Sequence, residues 1–95
     1  MHIPPWIDNP RRSRAERAQL RLKFMLSQAA LRKWGHTSIH VLATHAKCNH
    51  SSIFNAINRG YFTEQMAQSI EQVFGRAELP HEWLVDPLNA GQVNA

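Results

Sequence analysis

The sequence predicts an all-α domain of four to five helices, and three observations carry that prediction. Apolar residues recur at helical spacing in successive segments, capping side chains stand at the segment starts, and glycine stands at their ends. At 95 residues the chain is long enough for one hydrophobic core and too short for two. Hydrophobic residues make up 43% of it against 19% charged, the balance of a folded globule rather than a disordered tail.

Between residues 13 and 33 there is no proline or glycine, and Ala18, Leu22, Met25, Leu26, Ala29 and Ala30 draw an apolar stripe. Ser13 followed by Glu16 has the form of a capping box, and Gly35 stops the segment with Arg32 and Lys33 beside its carbonyl-rich end. The pattern predicts one long helix here, or two with a break near Ser27. Thr37 or Ser38 caps a second, short helix carrying Ile39, Leu42, Ala43 and Ala46, which ends near Lys47. Asn49 and Ser51 supply capping oxygens for a third over 51–58, with Ile53, Ala56 and Ile57 on one face and Gly60 as its stop. Thr63 opens a fourth, where Met66, Ala67, Ile70, Val73 and Phe74 form the cleanest amphipathic stretch before Gly75. Pro80 then starts a short turn that lays Trp83 and Leu84 on the core. Residues 1–10 hold three of the five prolines, and the last eight are small and polar. The reading is therefore a flexible arm over 1–12, a domain over 13–86 and a flexible tail over 87–95.

Cys48 stands alone, so no intramolecular disulfide forms, and a reducing cytoplasm is the expected home. No apolar run approaches the length of a membrane helix, and the Met1 region lacks the apolar stretch of a signal peptide, so no membrane partner is expected. Charge is uneven. Up to Trp34 there are eight basic residues (Arg11, Arg12, Arg14, Arg17, Arg21, Lys23, Arg32, Lys33) against Asp8 and Glu16. The remainder has three basic residues against five acidic ones. A basic amino-terminal third suits a phosphate-lined partner, because neutralising phosphates releases condensed counterions; a solvated basic helix is the plainer alternative.

The second and third segments need explaining together. Two short helices joined by three or four residues, with a small residue in the first and branched apolar ones in the second, form a close crossing at which a bulky side chain at Ala43 would push the axes apart. Leu42 and Ala46, Cys48 in the turn, and Ile53 with Ala56 or Ile57 would face the core. The outer face of 50–58 then holds His50, Ser51, Asn55 and Asn58, polar groups able to hydrogen-bond base edges in a major groove.

The stretch Ser38-Ile-His-Val-Leu-Ala-Thr-His-Ala-Lys-Cys-Asn-His-Ser-Ser-Ile53, continued by Phe54-Asn-Ala-Ile-Asn-Arg-Gly60, resembles the lambda-repressor-like helix-turn-helix regulators of phages and bacteria, with the Ner-type branch of Mu-like phages among them. Leu79-Pro-His-Glu-Trp-Leu84 is similar to the segment that commonly ends such domains. The likeness covers residues 36–86. It implies a four- to five-helix fold with its helix-turn-helix at about 38–58, and a sequence-specific regulator, a repressor of phage or prophage type, in a bacterial cytoplasm. Carried over by position, His50, Ser51, Phe54, Asn55 and Asn58 are the implied base contacts, Asn matching adenine and Phe54 touching a thymine methyl. Thr37, Ser38 and His40 are implied phosphate contacts, with Lys47 and Arg59 as further ones, and Arg11, Arg12 and Arg14 as an arm along the duplex. A homodimer on a two-fold operator is implied too, because one small reading head buries only about 600–1,000 Å². This chain departs from the family at Lys47, where members carry glycine in a left-handed turn, and in its longer first helix.

Other constellations are weaker. His36, His40, His45 and His50 with Cys48 invite a zinc site, yet they project from different elements with one thiol among them, so no metal is expected. Adjacent Ser and His, such as Ser51 and His50, point in different directions on a helix, and carboxylates are few, so neither an enzyme nor a cofactor is expected. Trp34 and Trp83, at helix ends, are read as core. The alternative function is a helical protein-interaction module, antitoxin-like or a phage protein that binds a host protein.

Overall fold

The computed structural model describes residues 3–90 and is all-helical: α1 (Arg14–Trp34), α2 (Ile39–Ala46), α3 (His50–Arg59), α4 (Glu64–Phe74), α5 (His81–Val85) and a single 3-10 turn (Pro87–Asn89), with no strand among the described residues. Helix α1 runs unbroken through Ser27. It is started by Ser13, whose Oγ accepts from the Glu16 amide at 3.1 Å, and ended by Gly35 in the left-handed region. Thr63 caps α4 in the same way, accepting from the Met66 amide at 3.3 Å. Among the helices, α2 packs on α3 and α4, α1 on α3 and the 3-10 turn, and α4 on α5.

The core lies where these faces meet. Leu22, Met25, Leu26 and Ala29 of α1 join Leu42, Ala43 and Ala46 of α2, Ile53, Ala56 and Ile57 of α3, Ala67 and Ile70 of α4, and Leu79, Trp83 and Leu84 near the carboxyl end. Phe62 is fully buried in the α3–α4 connection, and its amide donates to the Leu84 carbonyl at 3.0 Å. Burying each large apolar side chain contributes about 1.5–3 kcal/mol, so the connection itself is anchored by its aromatic ring. Gly60 is required at the start of that connection. Its φ is +96° and a Cβ would lie 3.5 Å from Ala18 Cβ, so the strain of the left-handed conformation, more than space, excludes a side chain there.

The two ends are not the loose segments expected. Pro4 to Asp8 form turns, and Ile7 is fully buried. Arg21, the one buried charged residue among those described, donates from Nε and Nη2 to both Asp8 carboxylate oxygens (2.8 and 2.6 Å). Its Nη1 reaches the carbonyls of Pro87, Leu88 and Ala90 at 2.9, 2.9 and 3.1 Å. Pro87 and Ala90 are buried. The flexible arm over 1–12 is thus corrected for residues 3–12, and the flexible tail over 87–95 for residues 87–90; residues 91–95 lie outside the described residues. The physical reason is one guanidinium with five donors, which gathers a carboxylate from one end and carbonyls from the other.

Candidate nucleic-acid interface

Three residues, Lys47, Cys48 and Asn49, join α2 to α3. Lys47 is the one non-glycine residue with positive φ among those described, at φ 57° and ψ 38°. Its amide donates to the Thr44 carbonyl at 3.3 Å, and the Cys48 amide donates to the Ala43 carbonyl at 2.9 Å, so the last carbonyls of α2 are satisfied as the chain reverses. Asn49 returns to extended backbone and its Oδ1 accepts from the Ser51 amide at 2.9 Å, starting α3 at His50, one residue before the expected Ser51. Leu42, Ala43 and Ala46 meet Ile53, Ala56 and Ile57, all buried, with Cys48 half-buried over the turn.

At about 100° per residue, those buried side chains occupy one side of α3 and leave the opposite arc to Ser51, Asn55 and Asn58, with His50 and Phe54 on one flank and Ser52 and Arg59 on the other. All seven are exposed. No element of the described chain covers this ridge. Asn58 gives its carbonyl to Gln19 Nε2 of α1 at 2.6 Å and keeps its side-chain amide free of described partners. Arg59 stacks over the Tyr61 ring at 4.6 Å, which holds the guanidinium at the carboxyl end of α3. His50 packs against His40 of α2 with ring centroids 4.4 Å apart and edge-on against Phe54 at 6.4 Å, so the amino ends of the two helices share an aromatic contact.

Along α2, Ser38 is the cap, its Oγ accepting from the Val41 amide at 3.4 Å, while Thr37 precedes it as an exposed loop residue. Thr37, Ile39, Phe54, Ile57 and Asn58 border a groove of about 320 Å³ whose far wall is α1, with Leu26 and Lys23. The structure therefore brings His40, His50, Ser51, Phe54, Asn55 and Asn58 to one side, with Thr37 and Ser38 at its edge. Lys47 sits on the exposed turn and also borders a cleft with Lys33, His45 and Gln72 on the α4 side of α2. Arg11, Arg12 and Arg14 do not join this group as a free arm. Arg12 donates to the Trp6 carbonyl at 3.3 Å and pairs with Glu16 at 3.7 Å. Arg14 borders a separate cleft with Asp8, Arg17 and Arg21.

Sequence reasoning missed Ser52, Lys23 and Gln19. Ser52 carried no distinguishing signal beyond its neighbours, and Lys23 and Gln19 meet α3 across more than thirty residues of chain. A second polar centre, on the α4–α5 side, was also missed. His81 Nδ1 lies 2.9 Å from Glu71 Oε2, and its Nε2 lies 3.0 and 3.1 Å from Glu64 and Glu82. The hydrogen bond to Glu71 and the charges of Glu82, Glu71 and Glu64 raise the His81 pKa, against a smaller opposing effect of burial. Glu71 is held below its usual range chiefly by the His81 amide, and Glu82 chiefly by Arg76. Glu71, His81 and Glu82 present ligand atoms within 4.8 Å of one another. Arg76 Nη1, however, already stands 3.0 Å from Glu71 and 2.7 Å from Glu82, filling the position a cation would take. No helix among the described residues is long and apolar enough to cross a membrane. Comparison with family models, with curated proteins and with solved structures gave no match.

Proposed function

We propose that this chain is a sequence-specific DNA-binding regulator, a repressor of phage or prophage type, built on a lambda-repressor-like fold in which α2 and α3 are the helix-turn-helix. The observation that carries the reading is the uncovered polar ridge of Ser51, Asn55 and Asn58 on a helix whose other face is fully committed to the core. Three features support it. A helix of ten residues is about 15 Å long and fits the major groove end-on or lengthwise. The capped start of α2 directs unpaired backbone amides outward beside Thr37 and His40, where a phosphate is favoured. Lys47 and Arg59 bracket the ridge at its two ends, and Lys23 adds a cation on the Phe54 side.

In this reading Asn55 and Asn58 pair with adenine, Ser51 and His50 bond base edges near the start of α3, and Phe54 meets a thymine methyl. Thr37, Ser38, His40, Lys47 and Arg59 hold the backbone. Arg11, Arg12 and Arg14 act only on duplex that extends toward the start of α1, since Arg14 faces away from α3. Two copies bind a two-fold operator and repress by excluding polymerase. One observation favours the alternative of a protein-interaction module: Phe54 is 44% exposed at the mouth of an apolar groove.

Selection from a random-sequence duplex library separates the two. The wild type should enrich one motif, and Asn55→Ala should relax it at a single position, where a bidentate contact discriminates by about 1–3 kcal/mol. Absence of enrichment by the wild type would sink the base-reading proposal and leave the interaction module.

A further inference from the structure

Arg14, Arg17 and Arg21 line an open cleft of about 420 Å³ together with Asp8, Leu88 and Asn89. The three arginines are not equivalent. Arg21 is saturated by Asp8 and three carbonyls. Arg14 is exposed and has no carboxylate within ion-pairing distance among the described residues. Arg17 is half-buried, and its Nε is shut off from solvent with no hydrogen-bond partner among the described residues. Buried guanidinium donors are normally paired, so this N–H faces the cleft with an acceptor missing. Asp8 does not supply it, because both its oxygens are taken by Arg21. The cleft therefore offers cationic donors in excess of acceptors.

We propose that this cleft is a second binding site that takes a phosphate group, with the Arg17 guanidinium, through Nε and a terminal nitrogen, as the bidentate fork and Arg14 closing over the outer oxygens. The planar fork of arginine matches two phosphate oxygens, and the bonds are charge-assisted. Its position decides between sources. Taking about 100° per residue, Arg14, Arg17 and Arg21 lie roughly 140° around α1 from Gln19, Lys23 and Ser27, the flank that borders α3. A duplex seated on α3 is therefore turned away from this cleft. The volume falls in the range of small-molecule sites, so the phosphate belongs to a small phosphorylated molecule rather than to the duplex backbone.

The test uses the full chain labelled with ¹⁵N, without DNA, in a phosphate-free buffer of constant ionic strength. Inorganic phosphate should give saturable shifts of the Arg17 Nε–Hε signal and of the Leu88 and Asn89 amides, while chloride gives none. Arg17→Gln should weaken the apparent affinity about ten-fold or more. The exposed Arg14→Gln, which leaves the fold intact, should weaken it several-fold, so the site is tested even if the Arg17 variant unfolds. Arg11→Gln should change nothing. Shifts that rise linearly without saturating, that chloride reproduces, or that survive both substitutions would overturn the site. A nucleoside monophosphate and a short random duplex then separate the sources: saturation by the former at these signals supports the small molecule, and shifts from the duplex alone overturn that assignment. Either outcome is independent of whether α3 reads bases.

Discussion

Replacing Lys47 by glycine should stabilise the fold and weaken duplex binding at once, two effects of opposite sign from one position. Lys47 holds φ 57° and ψ 38°, a left-handed conformation that crowds a Cβ and costs about 1–2 kcal/mol for an ordinary residue. Glycine removes that strain but loses about 0.5–1 kcal/mol more chain entropy on folding, so the net gain is about 0.5–1 kcal/mol. For a domain of this size that raises the melting midpoint by roughly 2–8 °C. The backbone bonds of the turn, from the Lys47 and Cys48 amides, survive the change. If the Lys47 ammonium holds a phosphate, the same variant drops one counterion from the salt dependence, a change of about 0.9 in the slope of log K against log salt. Lys47→Ala is the control. It removes the charge and keeps the strain, so it should match glycine in the salt slope and match the wild type in stability. Thermal melts followed by circular dichroism and duplex titrations at four salt concentrations read both effects. A glycine variant no more stable than the alanine variant would refute the strain argument, and an unchanged slope in both would remove Lys47 from the phosphate contacts.

Two further perturbations test the parts of the fold that hold charge. Arg21→Met should lower stability by about 3 kcal/mol, because it leaves Asp8 and three carbonyls without their donor, while Asp8→Asn, on a carboxylate one-third exposed, should lower it by less; chemical denaturation reads both, and equal losses would contradict the assignment. His81 has a raised pKa in the fold, so its contribution is fully present below the pKa of an unfolded histidine and is lost as pH rises through the folded value. Glu71 and Glu82 have lowered values, so theirs is present above the unfolded carboxylate pKa and lost as pH falls through the folded values. The α4–α5 cluster should therefore stabilise most between the carboxylate and imidazole ranges, at about pH 5–6.5. His81→Gln should flatten the fall in stability from pH 6 to 8, measured by urea midpoints across that range, and a wild type whose midpoint rises over it would contradict the sign.

Local signals were legible in the sequence, and contacts between distant segments were not. Ser13, Asn49 and Thr63 announce helix starts because a capping oxygen acts on amides two or three residues away, and Gly35 and Gly60 announce ends because they alone relieve a left-handed backbone. The apolar faces of α2 and α3 follow from spacing within each helix, which is why the outward ridge of α3 could be named in advance. Charge was misread. Arg21 counts as one more cation in the basic third, yet it is buried against Asp8 and the 3-10 turn, across sequence separations of 13 and up to 69 residues. Arg32 likewise pairs with Glu78 at 3.1 Å. A tally of charges carries no information about which of them are already neutralised. Ile7 and Pro87 were assigned to loose ends for the same reason, since neither has a periodic neighbour to reveal that it is covered.

The guanidinium of Arg21 has a consequence for how the molecule comes apart. Because a single side chain grips the segment before α1 and the segment after α5, neither can peel away while the other remains held at full strength. Withdrawal of Asp8 leaves the donor that orders residues 87–90 poorly placed, and withdrawal of those carbonyls leaves the carboxylate facing an unanchored cation. The amino and carboxyl margins should therefore become accessible to proteases and to amide exchange together, at one denaturant concentration, as a joint opening unit rather than as two fraying termini.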